Sequence, residues 1–409
     1  MSLEQKLRIL SEAAKYDVSC ATSGAVRPPI KDGIGHSDGR SICHSFTPDG
    51  RCVALLKILL TNYCIYDCVF CVNRASSDVE RACFTPEEVA HVTMEMYKRN
   101  YIEGLFLSSG IFRTPDTTME QLVRAVRLLR TEHRFNGYIH LKAIPGASPN
   151  LIEEAGEWVD RLSANIELPT QADLIKLAPE KSHPVIENTM EIIDQRLHAN
   201  QDRDPSARRF APAGQTTQMV IGATEASDAD ILSTSDRMYR RYRLRRVYYS
   251  AFSPFPKADA RLPPQPPPLL REHRLYQADW LIRHYRFDHR ELIEHGNLDL
   301  TYDPKLAWAL GHRELFPVDV NRAAREQLLR IPGIGYKNVE RILSIRRYHR
   351  LSEADLRRLG VVIRRARPFI IASDLVAKQL DSVSLPTFLQ RPAQLNLFDG
   401  VRESRSGQL

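Results

Sequence analysis

The stretch TNYCIYDCVFC, residues 61–71, decides the fold class. It places Cys64, Cys68 and Cys71 in a C-x3-C-x2-C pattern directly after ALLKILLTN (54–62), an apolar run typical of a buried strand. Three thiolates at this spacing can wrap one loop around a four-iron, four-sulfur cluster and leave its fourth iron without a protein ligand. A metal with an open coordination position is available for chemistry, so the pattern predicts a working site rather than a closed structural one.

The main alternative is a zinc site or a set of unligated buried thiols. Zinc takes four ligands, usually from two paired sets, and the chain has no second C-x2-C pair, although His91 and Cys83 stand within sequence reach. Seven cysteines, three of them within eight residues, are unfavourable for a disulfide framework and favour a metal site. We expect the other cysteines to be buried or incidental thiols: Cys20, Cys43, Cys52 and Cys83.

Apolar runs and helical patterns alternate between residues 54 and 254. Five further strand candidates follow the first, at 104–110, 138–145, 161–168, 216–223 and 246–254. Between them lie segments such as TPEEVAHVTMEMYKRN, with a capping Thr and apolar residues spaced three and four apart. Because each parallel strand pair needs a crossover, usually helical, six such units predict an α/β fold, a partial (β/α)6 TIM-like barrel.

Composition divides the rest of the chain. FPKADARLPPQPPP cannot pair inside a sheet and predicts a semi-rigid linker. The expected segments are an N-terminal lead-in (1–53), the barrel core (54–254), the proline-rich linker (255–270), a connecting helical region (271–317), a small all-α domain (318–380) and a flexible tail (381–409).

The positive charge of the chain is concentrated near its C-terminus. The whole chain has a formal net charge of +7, whereas Asp319 to Lys378 holds 14 Lys and Arg against 6 Asp and Glu, or +8. A localised excess of this kind favours a polyanion-binding domain, with a merely solvated basic surface as the alternative. No run approaches the roughly 18 apolar residues of a membrane helix, and the N-terminus lacks a secretory h-region, so we expect a cytoplasmic protein without membrane contact.

A second specific motif lies inside this basic segment. Residues 331–335 read IPGIG between two helical patterns, and Gly333 and Gly335 permit backbone conformations that a side chain would block. Exposed amides there, with the next helix N-terminus, would suit a phosphate oxygen. The motif resembles the hPGhG hairpin of the helix-hairpin-helix family of sequence-independent nucleic-acid binders. That resemblance implies binding through Pro332, Gly333, Gly335 and Lys337.

A degenerate second hairpin follows the first. LRRLGVVIRRARPFI (356–370) has the same shape around Gly360, and pairs of such hairpins usually form one compact unit. Five arginines supply its charge: Arg357, Arg358, Arg364, Arg365 and Arg367. A role in protein interaction alone is the alternative.

Residues 54–254 resemble the catalytic core of the radical S-adenosylmethionine superfamily. The resemblance implies that S-adenosylmethionine binds the open iron and is cleaved reductively to methionine and a 5'-deoxyadenosyl radical. It also implies which residues contact the cofactor. Phe70 and Gly222 would contact adenine, and Asn165 and Glu167 would contact the ribose. The methionine amino group would be bound by Ser108, Ser109 and Gly110. The SSG turn departs from the superfamily's paired glycines followed by an acid. Each of these residues also has an ordinary structural alternative, for Glu167 an ion pair.

Two further residues near strand ends, Lys142 and Tyr248, are candidates to face the barrel cavity. The stretches CHSFTPDG, LLTNYCIYDC, YIEGLFLSSG and GYIHLKAIPGAS resemble a bacterial family of radical S-adenosylmethionine proteins assigned to DNA modification or repair. That resemblance implies an enzyme acting on duplex DNA, with an electron donor such as flavodoxin or ferredoxin. The alternatives are a transfer-RNA-modifying enzyme and a non-catalytic iron-sulfur redox sensor that binds DNA.

The tail contains a small apolar cluster in a polar context. RPAQLNLFDG (391–400) resembles the peptide by which bacterial polymerases and repair proteins dock on the sliding clamp. Two leucines and an aromatic ring would fill an apolar pocket while a glutamine fixes the register. The residues implied are Gln394, Leu395, Leu397 and Phe398. The alternative is a C-terminal plug that folds back on the chain.

Overall fold

The computed structural model describes residues 1–15, 42–46, 52–199, 209–293 and 296–376, with the backbone alone for 42–46 and 52–53. The chain forms two compact units. The first comprises Met1–Ala226 and Arg237–Pro267, and the second comprises Ser227–Asp236 and Pro268–Leu409. The division at Pro267 falls inside the proline-rich stretch.

The first unit is built on a seven-stranded sheet in which the strands follow one another in chain order. They are β1 (Ile42–Phe46), β2 (Cys52–Leu59), β3 (Gly104–Ser108), β4 (Tyr138–Lys142), β5 (Arg161–Ser163), β6 (Gln215–Ile221) and β7 (Arg246–Ala251). Strands β2 to β7 are parallel, and β1 pairs antiparallel with β2. The six parallel strands confirm the predicted α/β partial barrel, whereas β1 was not predicted.

Helix α1 (Leu3–Ala14) precedes the sheet. The helices between the parallel strands are α2 (Pro86–Lys98), α3 (Pro115–Thr131), α4 (Pro149–Trp158), α5 (Gln171–Leu177), α6 (His183–Ala199) and α7 (Asp228–Tyr242), of which α7 begins in the second unit and ends in the first. Helix α2 begins at a capping box, in which the Thr85 hydroxyl accepts from the Glu88 amide at 3.2 Å and the Glu88 carboxylate accepts from the Thr85 amide at 2.8 Å. Ile9 and Leu10 of α1 are buried in the same apolar core as the strands, so this part of the lead-in packs on the barrel.

Hydrogen bonds of β6 show which face of the sheet meets the helices. The side-chain amide of Gln215 donates to the carbonyls of Met190 in α6 and Tyr242 in α7, at 3.2 and 2.8 Å. Successive side chains of a strand point to opposite faces. Thr216 and Gln218 therefore point to the inner, concave face, and both are buried. The interior of the partial barrel is polar at this level.

The second unit is mainly helical. Its elements are α8 (Leu269–Tyr285), α9 (His289–Leu292), α10 (Pro304–Gly311), α11 (Arg325–Arg330), α12 (Tyr336–Ile345), α13 (Glu353–Arg358) and α14 (Ile363–Ala366), with 3-10 turns at Arg313–Leu315 and Arg367–Phe369. Two short parallel strands, β8 (Val318–Asp319) and β9 (Ile370–Ile371), correct the expectation of an all-α domain. They join the start of the predicted domain to its end. None of the helices in the described ranges has the length and apolarity needed to cross a bilayer.

Candidate metal centre and nucleic-acid interface

The three cysteines lie on the loop after β2, at the carboxyl end of the parallel sheet. Cys68 is buried, Cys64 and Cys71 are half-buried, and all three thiols are free. The loop is tied to the end of β3, where the Ile65 amide donates to the Ile111 carbonyl at 2.7 Å. Because the carboxyl ends of parallel strands meet at one edge, this is where a barrel of this kind builds its active site.

The loop begins at two buried polar side chains. Asn62 donates from its side-chain amide to the Glu80 carbonyl at 2.7 Å and accepts from the Ala82 amide at 2.8 Å. The Thr61 hydroxyl donates to the Ala82 carbonyl at 2.9 Å and accepts from the Tyr63 amide at 3.1 Å. These bonds join the two ends of the cysteine loop.

Arg81 organises the same loop from its far end. Its guanidinium donates to the carbonyls of Asn73, Arg74 and Ser77 at 2.8, 2.6 and 3.0 Å, and also to the carbonyl of Asn62. A planar five-donor group can serve several carbonyls at once, which a lysine cannot. The sequence contains no local signal for this role.

We expect Arg81→Lys to lower the free energy of unfolding by about 2 kcal/mol, because several charge-assisted bonds disappear together. The fraction of chains that retain iron after anaerobic reconstitution should fall with it. Thermal unfolding and iron analysis measure both quantities. The matched control is Arg124→Lys, since Arg124 forms an exposed pair with Glu87 that is worth at most about 1 kcal/mol. Equal behaviour of the two variants would contradict the role of Arg81.

The SSG turn after β3 packs directly on the cysteine loop. The Gly110 amide donates to the Thr61 carbonyl at 2.7 Å, and a Cβ added to Gly110 would lie 2.3 Å from the Tyr63 carbonyl oxygen. Only glycine permits this approach. Ser108 is buried at the end of β3, and the Ser109 hydroxyl donates to the Gly110 carbonyl at 2.6 Å. These residues thus position the loop, while their contact with a methionine amino group stays a prediction.

The thiols influence one another electrostatically. Burial raises the pKa of Cys68 to about 12 and that of Cys71 to about 11, and the neighbouring Cys64 contributes to both increases. The three side chains are therefore within electrostatic range of one another. Metal binding displaces protons from such thiols, because a coordinating thiol is deprotonated outright.

The donor set fits the predicted cluster. In the described ranges, no three His, Cys, Asp or Glu side chains converge on the position of a single metal ion. A cubane does not require such convergence, because each thiolate binds a different iron. Three thiols on one loop, within electrostatic range of one another but not convergent on one point, meet that requirement.

A partly buried ion pair lies within electrostatic range of the thiols. The Lys181 ammonium is 2.7 Å from the Glu167 carboxylate, with side chains 19% and 14% exposed. Burial alone would lower the pKa of Lys181, but the negative charge of Glu167 outweighs it and raises that pKa. The positive charge of Lys181 also opposes the increase in the pKa of Cys68 and Cys71. Lys181 was not found from the sequence, since no spacing links it to the cysteines.

Glu167 itself has an unusual backbone conformation. Its φ of 69° is in the left-handed region, which costs a non-glycine residue about 1–3 kcal/mol. Bonds to β6 hold it there, since its amide donates to the Gln218 carbonyl at 3.2 Å and its carbonyl accepts from the Val220 amide at 2.7 Å. The ion-pair alternative for Glu167 is what the structure shows, and the ribose contact stays a prediction.

The remaining cofactor candidates are placed as follows. Phe70 is half-buried on the cysteine loop. Gly222 follows β6 with a φ of 75°, and a Cβ there would lie 2.7 Å from the Pro267 ring. Asn165 is buried and lines a narrow cavity together with Lys142 and Tyr248. The two cavity candidates therefore do face the barrel interior, while the adenine and ribose contacts stay predictions.

The first hairpin corrects an expectation from the sequence. Its residues Pro332, Gly333 and Gly335 are buried, whereas we expected exposed amides. A Cβ on Gly333, whose φ is 84°, would lie 2.7 Å from the Val362 carbonyl oxygen, so the two hairpins pack against each other here. Lys337 is exposed, as expected.

Residues of two other helices in the same unit form hydrogen bonds with polar groups of the first hairpin. The Tyr336 amide at the start of α12 donates to the Tyr285 hydroxyl at 3.2 Å. Lys305, fully buried, donates to the Ile334 carbonyl at 2.7 Å and lies over the Tyr285 ring. The helix N-terminal amide that was expected to meet a phosphate is thus bound by the protein itself.

The second hairpin is the more accessible one. Gly360 is exposed, with a φ of 91°. Arg357 and Arg358 before it have side chains 70% and 83% exposed, and Arg364 and Arg367 after it are also exposed. Arg365 is the exception among the five candidates, because it forms a largely buried ion pair with Asp303, with side chains 18% and 9% exposed. Four of the five candidate arginines therefore offer accessible positive charge around the second hairpin.

Some candidates fall outside the described residues. These are Cys20 and the tail residues Gln394, Leu395, Leu397 and Phe398. Cys43 and Cys52 lie on β1 and β2 with their backbone alone described. The clamp-binding prediction therefore stays a prediction.

No family model and no curated protein matches the chain. Among solved structures, the FeFe-hydrogenase maturase HydG from Carboxydothermus hydrogenoformans is 13% identical at a TM-score of 0.40, over 53% of this chain and 48% of that one. Methylornithine synthase (PylB) is 16% identical at a TM-score of 0.39, over 48% of this chain and 52% of that one. The structure described as native anSMEcpe with bound AdoMet is 9% identical at a TM-score of 0.38, over 62% of this chain and 66% of that one. The chain spans about half the length of the first two.

Proposed function

We propose that this chain is a radical S-adenosylmethionine enzyme that modifies or repairs DNA. The observation that carries the first part is the loop after β2, which brings three thiols together at the carboxyl end of a six-stranded parallel partial barrel. Cys64, Cys68 and Cys71 would hold a four-iron, four-sulfur cluster. When bound, the cluster supplies the electron that cleaves S-adenosylmethionine.

The surrounding residues keep this site in place. Arg81 and Asn62 fix the ends of the cysteine loop, and Gly110 lets β3 approach it closely. The ion pair of Glu167 and Lys181 supplies a compensated charge beside the thiols.

The nucleic-acid part of the proposal rests on charge. The excess of +8 between Asp319 and Lys378 lies in one unit, and four of its accessible arginines lie around the second hairpin. Phosphate contacts by arginine release counterions and dominate sequence-independent binding. Duplex DNA is the partner we propose, with reduction by a flavodoxin or ferredoxin and tethering by the sliding clamp as further proposals.

Anaerobic turnover tests the enzymatic part directly. We expect the reconstituted chain, reduced with dithionite in the presence of S-adenosylmethionine, to form 5'-deoxyadenosine, which liquid chromatography detects. A protein that binds its cluster and duplex DNA but forms no 5'-deoxyadenosine would instead be a redox sensor. Adding duplex DNA or transfer RNA to the same reaction, and analysing the nucleosides afterwards, separates the two substrates.

A further inference from the structure

We infer that an arginine-lined groove beside the second hairpin binds the terminal phosphate of a DNA strand, and so directs the chain to strand breaks. The inference rests on the proposed function and deepens it, because it names the feature of DNA that this unit recognises. The groove has a volume of about 380 Å³, whereas a single water needs only about 10–15 Å³. The residues that line it are Glu353, Arg357, Val361, Ile363, Arg364 and Arg367.

The groove is positively charged. Three guanidinium groups and one carboxylate line it, which gives a formal charge of +2. The three arginines are exposed, so a ligand can reach them. A phosphate monoester carries a charge of about −1.5 to −2 at neutral pH, whereas a phosphodiester and a carboxylate carry a single negative charge each. The groove therefore matches a terminal phosphate better than an internal phosphate or an acidic side chain.

The carboxylate in the groove holds two of the arginines in place. The Glu353 carboxylate is 3.1 Å from the guanidinium of Arg357 and 3.4 Å from that of Arg367. The Glu353 amide donates to the carboxylate of Asp374 at 2.7 Å, and Asp374 does not line the groove. Because Arg357 lies on α13 and Arg367 on the 3-10 turn after α14, Glu353 brings together arginines from separate segments. Arranging these side chains before a ligand binds lowers the entropic cost of binding.

The shape and walls of the groove also suit a strand end. A terminal phosphate has three oxygens that accept hydrogen bonds, and each arginine offers a planar fork of N–H donors that fits phosphate oxygens. Val361 and Ile363, which are 5% and 8% exposed, add an apolar wall. Apolar walls concentrate the field of the charges in a cleft. A terminal phosphate projects beyond the last sugar and can enter such a groove, whereas an internal phosphate lies between two sugars on the convex surface of the duplex.

Fluorescence anisotropy of the reconstituted full-length chain tests the assignment. The probes are three duplexes closed by a loop at each end and identical except at one nick, which carries a 5'-phosphate, a 3'-phosphate or hydroxyl groups alone. We expect one of the two phosphates to tighten binding by about tenfold over the hydroxyl nick, because it adds charge-assisted contacts. The comparison of the two phosphates identifies which strand end the groove binds.

Variants of the groove should lose this preference. Arg364→Ala and Arg367→Ala should each remove most of it, with an unfolding midpoint near that of the wild type, because both side chains are exposed. The matched control is Arg358→Ala, since Arg358 is adjacent to Arg357 and 83% exposed but does not line the groove. This control should weaken binding to all three duplexes alike and keep the preference. A preference that survived in both groove variants, or that Arg358→Ala also removed, would overturn the assignment.

Two further outcomes would also overturn it. One is equal affinity of the wild type for the three duplexes, and the other is displacement of the phosphorylated nick by polyglutamate as readily as by a phosphorylated oligonucleotide, which would assign the groove to an acidic protein. Formation of 5'-deoxyadenosine by the same preparation keeps the two proposals apart. Cleavage and duplex binding without a phosphate preference remove this inference alone, and a phosphate preference without cleavage removes the proposed enzyme alone.

Discussion

Cys68→Ala is expected to abolish the iron-sulfur absorbance near about 400 nm and to reduce formation of 5'-deoxyadenosine below detection. All three thiolates are needed as ligands, because the fourth iron of the cluster must stay open to S-adenosylmethionine. Cys64→Ala and Cys71→Ala should have the same effect, although the three thiols differ in burial. Absorbance, iron and sulfide analysis, and the cleavage assay measure the result.

Cys83→Ala is the matched control for these variants. Cys83 is an exposed free thiol whose Sγ donates weakly to the Phe84 carbonyl at 3.4 Å. Its variant should retain the absorbance and the cleavage activity. A triplet variant that kept four irons and a normal rate of cleavage would show that the ligands had been assigned wrongly.

The sequence predicted the sheet well because its strands are buried on both faces and parallel pairing demands crossovers. β5 is shorter than expected, ending at Ser163 rather than near residue 168. Beyond Ser163, the Thr217 hydroxyl bonds the Ala164 carbonyl and the Ile166 amide in place of backbone pairing, and apolar periodicity does not encode such a contact. β1 was missed because ICHSF has no apolar alternation and pairs only with β2.

The polar network of the site was not predictable in the same way. Arg81 and Lys181 act through tertiary contacts, and no spacing rule connects them to the cysteines. The same reason explains why the sequence revealed the motif of the first hairpin but did not reveal that the hairpin is buried. Its partners Lys305 and Tyr285 are 29 and 51 residues away in the chain. A motif predicts local geometry, whereas its accessibility depends on the rest of the unit.

That distinction leads to the second large effect, which concerns nucleic-acid binding. Arg357→Ala with Arg358→Ala should weaken binding to every duplex similarly, by about tenfold or more. The dependence of affinity on salt should fall by about one unit for each phosphate that an arginine no longer neutralises. Fluorescence anisotropy at several salt concentrations, with duplexes of unrelated sequence, measures both.

The control for this pair is chosen by exposure. The Arg322 side chain is 82% exposed and 3.8 Å from Asp319 three residues earlier, and the Arg358 side chain is 83% exposed and 4.0 Å from Asp355, also three residues earlier. Arg322→Ala removes one positive charge from the same unit, as Arg358→Ala alone does, so it should change affinity much less than Arg358→Ala. Equal reductions of affinity in Arg322→Ala and Arg358→Ala would contradict a binding surface at the second hairpin, because only the total charge of the unit would then matter.

Gly333→Ala completes the argument, because it distinguishes the two hairpins. If the first hairpin bound phosphate through accessible amides, this variant would lose affinity while the fold stayed intact. The structure predicts that the variant loses stability rather than a phosphate contact. The added Cβ would meet the Val362 carbonyl at 2.7 Å, and the φ of 84° disfavours any side chain. We therefore expect a lower unfolding midpoint of the whole chain, with affinity reduced only as far as the folded fraction falls. A variant with full thermal stability that no longer bound duplex would contradict this prediction and would show that the first hairpin binds phosphate.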